Sequence, residues 1–278
     1  MKFKTILAIL QSKDDAARVL NCAVPLAVKH EAHLIGLHTE PLPIPHATPM
    51  GIPDTGFVEA GTEIARERGA EIEAIFTRHC GSGGLSGEWR AMENYSGDSA
   101  VSGLESARCA DLVIAQQRDP ESESIVADLE ALLFHSGRPA LFVPYAIKVE
   151  PPFNRVTLAW NGSSESARAA FDALPFLKAA KETTLLVVDA ETNAGQDDVF
   201  SGTAIAAALA RHGVKVSIQN QRSGDVSVAD IIQNHVSDSG ADLLVTGAYS
   251  QSRLKEFFFG GVTRSLMQSM TCATFMSR

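Results

Sequence analysis

Two short stretches carry the residue types that could hold a ligand. The first is GAYSQSRLKEFFFGGVTRSLM, Gly247 to Met267. A glycine ends an apolar run, a polar and basic loop follows, and Gly260-Gly261 precede a run with helical spacing. The first turn of a helix leaves backbone N–H groups free and carries the positive end of the helix dipole, which suits a phosphate oxygen. Glycines there let an anion approach the backbone closely, while Thr263 could supply a hydroxyl and Arg264 a charge. Val262, Leu266 and Met270 fall at i, i+4 and i+8, so they are expected to bury one face of this helix. From Gly247 onward Arg253, Lys255, Arg264 and Arg278 stand against a single acid, Glu256, and the local field favours anions. A strand–loop–helix junction whose glycines serve only turns would read the same way. The second stretch is LAWNGSSES, Leu158 to Ser166. It reads as a strand end, a turn at Asn161-Gly162 and a helix capped by the hydroxyl of Ser163 or Ser164, with Asn161 facing the same crevice.

A catalytic set does not emerge. The chain has no GxSxG, no HExxH, no phosphate loop with its lysine and no carboxylate pair at a site-like spacing. A binding or regulatory protein is therefore expected rather than an enzyme, since an ATPase would need a base or a metal-binding carboxylate near the loop. Cys22, Cys80, Cys109 and Cys272 are widely separated, without CxxC or zinc spacing, and are read as reduced thiols. No metal site is expected among the scattered histidines. GSGGLSGEW, Gly81 to Trp89, is glycine-rich but precedes a strand instead of opening a helix, so it reads as a flexible connector.

These stretches must be positioned by a larger frame, and the chain repeats itself to make one. FKTILAIL (Phe3–Leu10) aligns with FNRVTLAW (Phe153–Trp160) at an offset of 150, as do Ala17-Arg18 with Ala167-Arg168 and Pro25 with Pro175. ADLVIA (Ala110–Ala115) aligns with ADLLVT (Ala241–Thr246) at an offset of 131, and PALFVP (Pro139–Pro144) with ATFMS (Ala273–Ser277). Two copies of one domain follow, residues 1–147 and 153–278, joined near Pro151-Pro152. In the second copy strands and helices alternate: RVTLAW, then a helix SESARAAFDALPFLKAA that tolerates Pro175, TTLLVVDA, a helix stopped by Gly213, VKVSIQNQ, a helix over SVADIIQNHVSDSG, ADLLVTGA, the helix GVTRSLMQSM and ATFMS. Short apolar strands separated by helices require right-handed crossovers and a parallel sheet. Each copy is thus read as a doubly wound α/β domain with a five-stranded parallel sheet and helices on both faces. Its ligand crevice should lie at the carboxyl ends of the strands, where the strand order reverses. In the first copy Pro41–Pro53 packs five prolines after the second strand, a segment read as a surface loop. A long charged helix follows, around FVEAGTEIARERGAEIEAIFTRHCG.

The chain has 278 residues, 45% hydrophobic and 21% charged, with a net charge of −9. Residues 1–150 hold 13 positive and 21 negative charges, and residues 151–278 hold 11 and 12, so the acidity sits in the first copy. An acidic chain without a basic patch is a poor nucleic-acid binder. No run approaches the roughly 18 apolar residues of a membrane span. The start, MKFKTILAIL, is too short for a secretory leader and is followed by QSKDDAAR, so a cytoplasmic protein is expected.

The same residues resemble the universal stress protein family in its tandem, two-domain form. Its first strand ends in a pattern like V-D-G-S, here Trp160-Asn161-Gly162-Ser163, and its fourth reads like Ala241–Gly247. Its ATP-binding signature is glycine, two residues, glycine, nine residues, then glycine followed by Ser or Thr. Here Gly247 takes the first place, Ser250 the second, Gly260 the third and Gly261 the hydroxyl place. The resemblance implies two Rossmann-like domains of the HUP type, a role in stress response, and ATP with Mg as the ligand. The implied nucleotide contacts are Trp160, Asn161, Val188, Thr246, Gly247, Ser250, Gly260, Gly261, Val262 and Thr263. Three departures bear on binding. Asn161 replaces an acid and can donate where the acid only accepts, Ser250 adds a Cβ, and Gly261 loses a hydroxyl. The first copy has lost the signature and places Asp119, Glu121 and Glu123 where phosphates would lie, so it is expected not to bind ATP. The resemblance also implies antiparallel pairing of the two last strands within the chain, and leaves a homodimer open. The readings of a different class are a scaffold without nucleotide, or a protein that takes another small or apolar ligand with Phe257–Phe259 as lining.

Overall fold

The computed structural model describes residues 2–41, 55–94, 99–120, 129–189, 202–248 and 261–278. Residues 3–136 and residues 137–278 form two compact units. The first contains β1 (Thr5–Ile9), α1 (Lys13–His30), β2 (His33–Pro41), α2 (Thr55–Ser82), β3 (Glu88–Asn94), α3 (Ser99–Arg108), β4 (Leu112–Gln116) and α4 (Leu129–Ser136). The second contains β5 (Ala140–Val143), β6 (Arg155–Trp160), α5 (Ser164–Asp172), α6 (Leu174–Leu177), β7 (Glu182–Val188), α7 (Thr203–Arg211), β8 (Val216–Gln221), α8 (Val228–Ser239), β9 (Leu243–Gly247), α9 (Val262–Gln268) and β10 (Ala273–Ser277). The segment 42–54, which holds the rest of the proline-rich stretch, lies outside the described residues.

Apolar strands too short to be helices pair in parallel, as burial on both faces demands. In the first unit the order is β3-β2-β1-β4, all parallel. In the second it is β10-β9-β6-β7-β8, also parallel, with β5 added antiparallel beside β10. Both units are doubly wound, with the order reversing between β1 and β4 and between β6 and β9. Phe142 of β5 lies opposite Thr274, and Leu141 opposite Phe275. This is the antiparallel pairing of PALFVP with ATFMS. Phe142 and Phe275 are fully buried. Phe153, Phe176 and Phe275 meet edge to face at 5.6 and 5.7 Å between ring centres, the arrangement their quadrupoles favour.

The aligned prolines behave differently. Pro25 lies inside an unbroken α1. Pro175 does not sit within one long helix as expected: α5 ends at Asp172, and α6 restarts with Pro175 in its first turn. Proline lacks an N–H and its ring crowds the carbonyl four residues back, so the first turn of a new helix is where it fits without cost.

The repeated Ala-Asp-Leu motif has the same job twice. Asp111 Oδ2 accepts the backbone N–H groups of Lys4 (2.7 Å) and Thr5 (3.0 Å), while its own N–H donates to the Thr5 carbonyl. Asp242 accepts those of Asn154 (2.7 Å) and Arg155 (3.0 Å), and donates to the Arg155 carbonyl. Each acid fastens the start of the central strand to its neighbour, at the end of the sheet opposite the crevice. Charged acceptors on buried-edge amides contribute more than neutral ones. Asp242→Ala is expected to lower stability by about 2 kcal/mol, with Asp242→Asn losing less, as read by urea unfolding.

Candidate functional site

In the second unit the strand-order switch brings together residues from β6, β9 and the start of α5. Leu158 pairs with Val245, which sets Trp160 level with Gly247 at the carboxyl ends of the two strands. Trp160 is buried and ends β6. Asn161 turns the chain: its Oδ1 accepts the Ser163 N–H at 3.1 Å, and Gly162 takes φ 75°, a left-handed value that suits glycine. Ser163 then caps α5, its Oγ accepting the Ser166 N–H at 3.1 Å. Gly247 packs directly on this first helical turn. A Cβ built there would stand 2.5 Å from Ser166 N and 2.6 Å from the Glu165 carbonyl carbon, with no flexible group to give way. The glycine is therefore required by the packing of β9 on α5, a reason the sequence pattern did not suggest.

Thr246 is buried beside Gly247. Val188 ends β7, and the next residue, Asp189, is left-handed at φ 57°. Asp189 accepts the Ser223 N–H at 2.8 Å and the Ser223 hydroxyl at 2.6 Å, and these bonds hold its carboxyl below the usual carboxylate range. The clamp fixes the mouth-side end of β7, and sequence reasoning missed it. Its one signal was the acid directly after the β-branched run TTLLVV. Ser250 and Gly260 lie outside the described residues. Gly261 is the N-cap of α9. That helix differs from expectation in its buried face. Val262 is 37% exposed, whereas Thr263 and Leu266 are 4% and 2%. With only seven residues, α9 ends at Gln268 and does not carry the i, i+4, i+8 stripe as far as Met270. Thr263 thus points its bulk into the fold.

The first unit shows what becomes of the same positions without a signature. Sheet register puts Leu37 opposite Ile9, and Leu186 opposite Ala159, so His38-Thr39-Glu40 correspond to Val187-Val188-Asp189. Gln11 corresponds to Asn161 and Gln116 to Gly247 at the repeat offsets. Gln11 Nε2 donates to Thr39 Oγ1 at 2.9 Å, and Arg18 donates to Gln116 Oε1 at 3.2 Å. In the first turn of α1, Asp15, which aligns with Glu165, accepts the N–H groups of Gln11 and Ser12 at 2.8–3.1 Å and donates its own N–H to the Ser12 hydroxyl in a capping box. This crevice satisfies its polar groups from within. Asp119 is described, while Glu121 and Glu123 fall outside the described residues. Two glycines of the Gly81–Trp89 stretch are packed, a Cβ at Gly83 meeting Val24 and one at Gly87 the Phe76 ring, each at 2.5 Å, while Gly81 and Gly84 have open space around them. Cys22, Cys80 and Cys272 are buried and Cys109 exposed, with burial pushing the Cys22 and Cys272 thiols up to about 12. Among the described residues no group of three or more His, Cys, Asp and Glu could hold a metal ion, and no helix is long and apolar enough to cross a membrane.

Two tandem doubly wound α/β units, the second with a glycine at its switch point, define the class of fold. Residues 152–278 match the model of the universal stress protein family. The match lies within the second unit of the chain. It covers 99% of its length against 96% of a universal stress protein from Archaeoglobus fulgidus DSM 4304, at TM-score 0.75 and 15% identity. It likewise covers 99% of its length against 93% of a putative universal stress protein from Pseudomonas aeruginosa UCBPP-PA14, at TM-score 0.59 and 13% identity. At these identities the likeness is one of fold, and it extends the tandem architecture over both halves. Curated proteins give no significant match. Gly247→Ala is expected to destabilise the chain by about 1–3 kcal/mol through overpacking against α5, measured by thermal unfolding.

Proposed function

We propose that the chain is a cytoplasmic stress-response protein that binds a nucleotide of the ATP type, with Mg, at the β6–β9 switch of its second unit. The first unit is its partner and binds no nucleotide. The observation that carries this reading is the contrast between equivalent positions. Gln116 fills its position with a side chain bonded to Arg18 and Thr39 is bonded to Gln11, while the second unit has a glycine at 247 and Val188 at the equivalent places. The signature spacing of Gly247, Ser250, Gly260 and Gly261 supports the same assignment, with Trp160, Thr246, Val262 and Thr263 around it. An anion at Gly261 meets the first turn of α9 and, in sequence, Arg264.

One observation favours a second reading, in which the crevice takes a different small ligand or serves as a scaffold. Thr263 is buried, so it is poorly placed to replace the hydroxyl that Gly261 lacks. Mass spectrometry of gently purified protein and a thermal-shift titration with ATP–Mg distinguish the two. Nucleotide at a hundredfold excess over its Kd should add about 2.7 kcal/mol to stability. Gly260→Asp, which sets a charge at the helix mouth, is expected to abolish the shift. No co-purifying nucleotide together with no shift at millimolar ATP would leave the second reading standing.

A further inference from the structure

In the first unit a buried histidine and glutamate form a bonded pair near the buried Asp15, with the half-exposed Arg68 on its outer side. His38 is 2% exposed. Its Nδ1 lies 2.7 Å from the Leu10 carbonyl oxygen, its Nε2 lies 2.9 Å from Glu40 Oε2, and Glu40 Oε1 accepts from Arg68 at 2.7 Å. A carbonyl oxygen can only accept, so Nδ1 carries a hydrogen. Nε2 and Oε2 then hold a second hydrogen between them, whichever atom owns it. Asp15 is 8% exposed and faces this pair from α1. The other neighbours of His38 are the Leu10 carbonyl from β1, Arg68 of α2 acting through Glu40, and the uncharged ring of Trp89 on β3, stacked at 6.4 Å.

We infer that this cluster is a proton-binding site whose occupancy sets the geometry of the β1–α1 turn. Ionised Asp15 offers two acceptor oxygens to the N–H groups of Gln11 and Ser12. Protonation turns one oxygen into a hydroxyl, so at least one of these bonds must weaken. Gln11 moves with the turn, and its side-chain bond to Thr39 carries the change into β2 beside His38. A cleft of about 310 Å³ lies beside the cluster, lined by Ser12 and Arg68, which bond to Asp15 and Glu40, and by Lys13, Ile64, Glu67 and Glu71, with Lys13 and Glu71 paired at 2.7 Å. Burial pushes the Asp15 carboxyl up from 3.8 to about 6, against the pull of its bonds to Ser12 and Gln11 and of the nearby His38. The folded state therefore holds a proton that the unfolded chain has released, and the stability this gives is full below 3.8 and lost as the pH rises through about 6. The inference rests on the first unit alone and is independent of nucleotide binding in the second.

The test is an NMR titration of the intact chain from about pH 8 to about pH 5, following the Asp15 carboxyl and the amides of Gln11, Ser12, His38 and Thr39. All five are expected to move with one midpoint near 6, and Asp15→Asn should leave the four amides flat. An Asp15 carboxyl that titrates like a free one overturns the inference, as do His38 and Thr39 amides that stay still while Gln11 moves. If Asp15→Asn fails to fold, the wild-type carboxyl titration decides by itself. Glu40→Gln, which leaves the α1 cap intact, is expected to displace the midpoint, and an unmoved midpoint removes the coupling to β2.

Discussion

The turn after the central strand of each unit has backbone N–H groups that must find acceptors, and the choice of acceptor separates the two halves of this protein. In the second unit neutral oxygens do it: Asn161 takes the Ser163 N–H and Ser163 takes that of Ser166. A neutral cap leaves the positive end of α5 without a fixed countercharge from the cap itself. In the first unit the Asp15 carboxylate does it, and a buried carboxylate brings its own requirements for partners. His38, Glu40, Arg68 and the Gln11–Thr39 bond stand on the same side of the first unit, and each polar group drawn in must also be satisfied.

The opposite end of each sheet has been left alone. Asp111 and Asp242 make the same bonds to the same relative positions. The repeat is therefore more faithful at this end of the sheet than at the carboxyl ends of the strands, where Gln11 and Gln116 stand for Asn161 and Gly247. Loops at strand ends vary freely once the sheet beneath them is fixed, which is why folds of this kind change function without changing shape.

Much of the architecture was legible because it rests on periodicity. Apolar runs such as ADLLVT gave parallel strands, Gly213 follows the end of α7 at φ 85°, and Ser163 begins α5 with a hydroxyl cap. What escaped notice rests on packing between distant segments. Nothing in a one-dimensional string reports that the end of β9 lies within 2.6 Å of the backbone of α5, so Gly247 could be read only as a turn or a phosphate glycine. Of the expected stripe Leu266 and Met270 are buried, and only Val262 is exposed, its place in the first turn taken by Thr263. The Asp189–Ser223 clamp joins residues 34 positions apart and leaves no local signature beyond an acid at a strand end.

β5 comes from the first repeat yet lies in the compact unit formed by the second, antiparallel to β10. A parallel sheet that ended at β10 would present an open row of N–H and C=O groups. Evolution after a duplication is constrained accordingly. Deleting the first copy back to the repeat boundary would take the border strand of the neighbouring unit with it. Four residues of main chain thereby keep the two repeats on one gene.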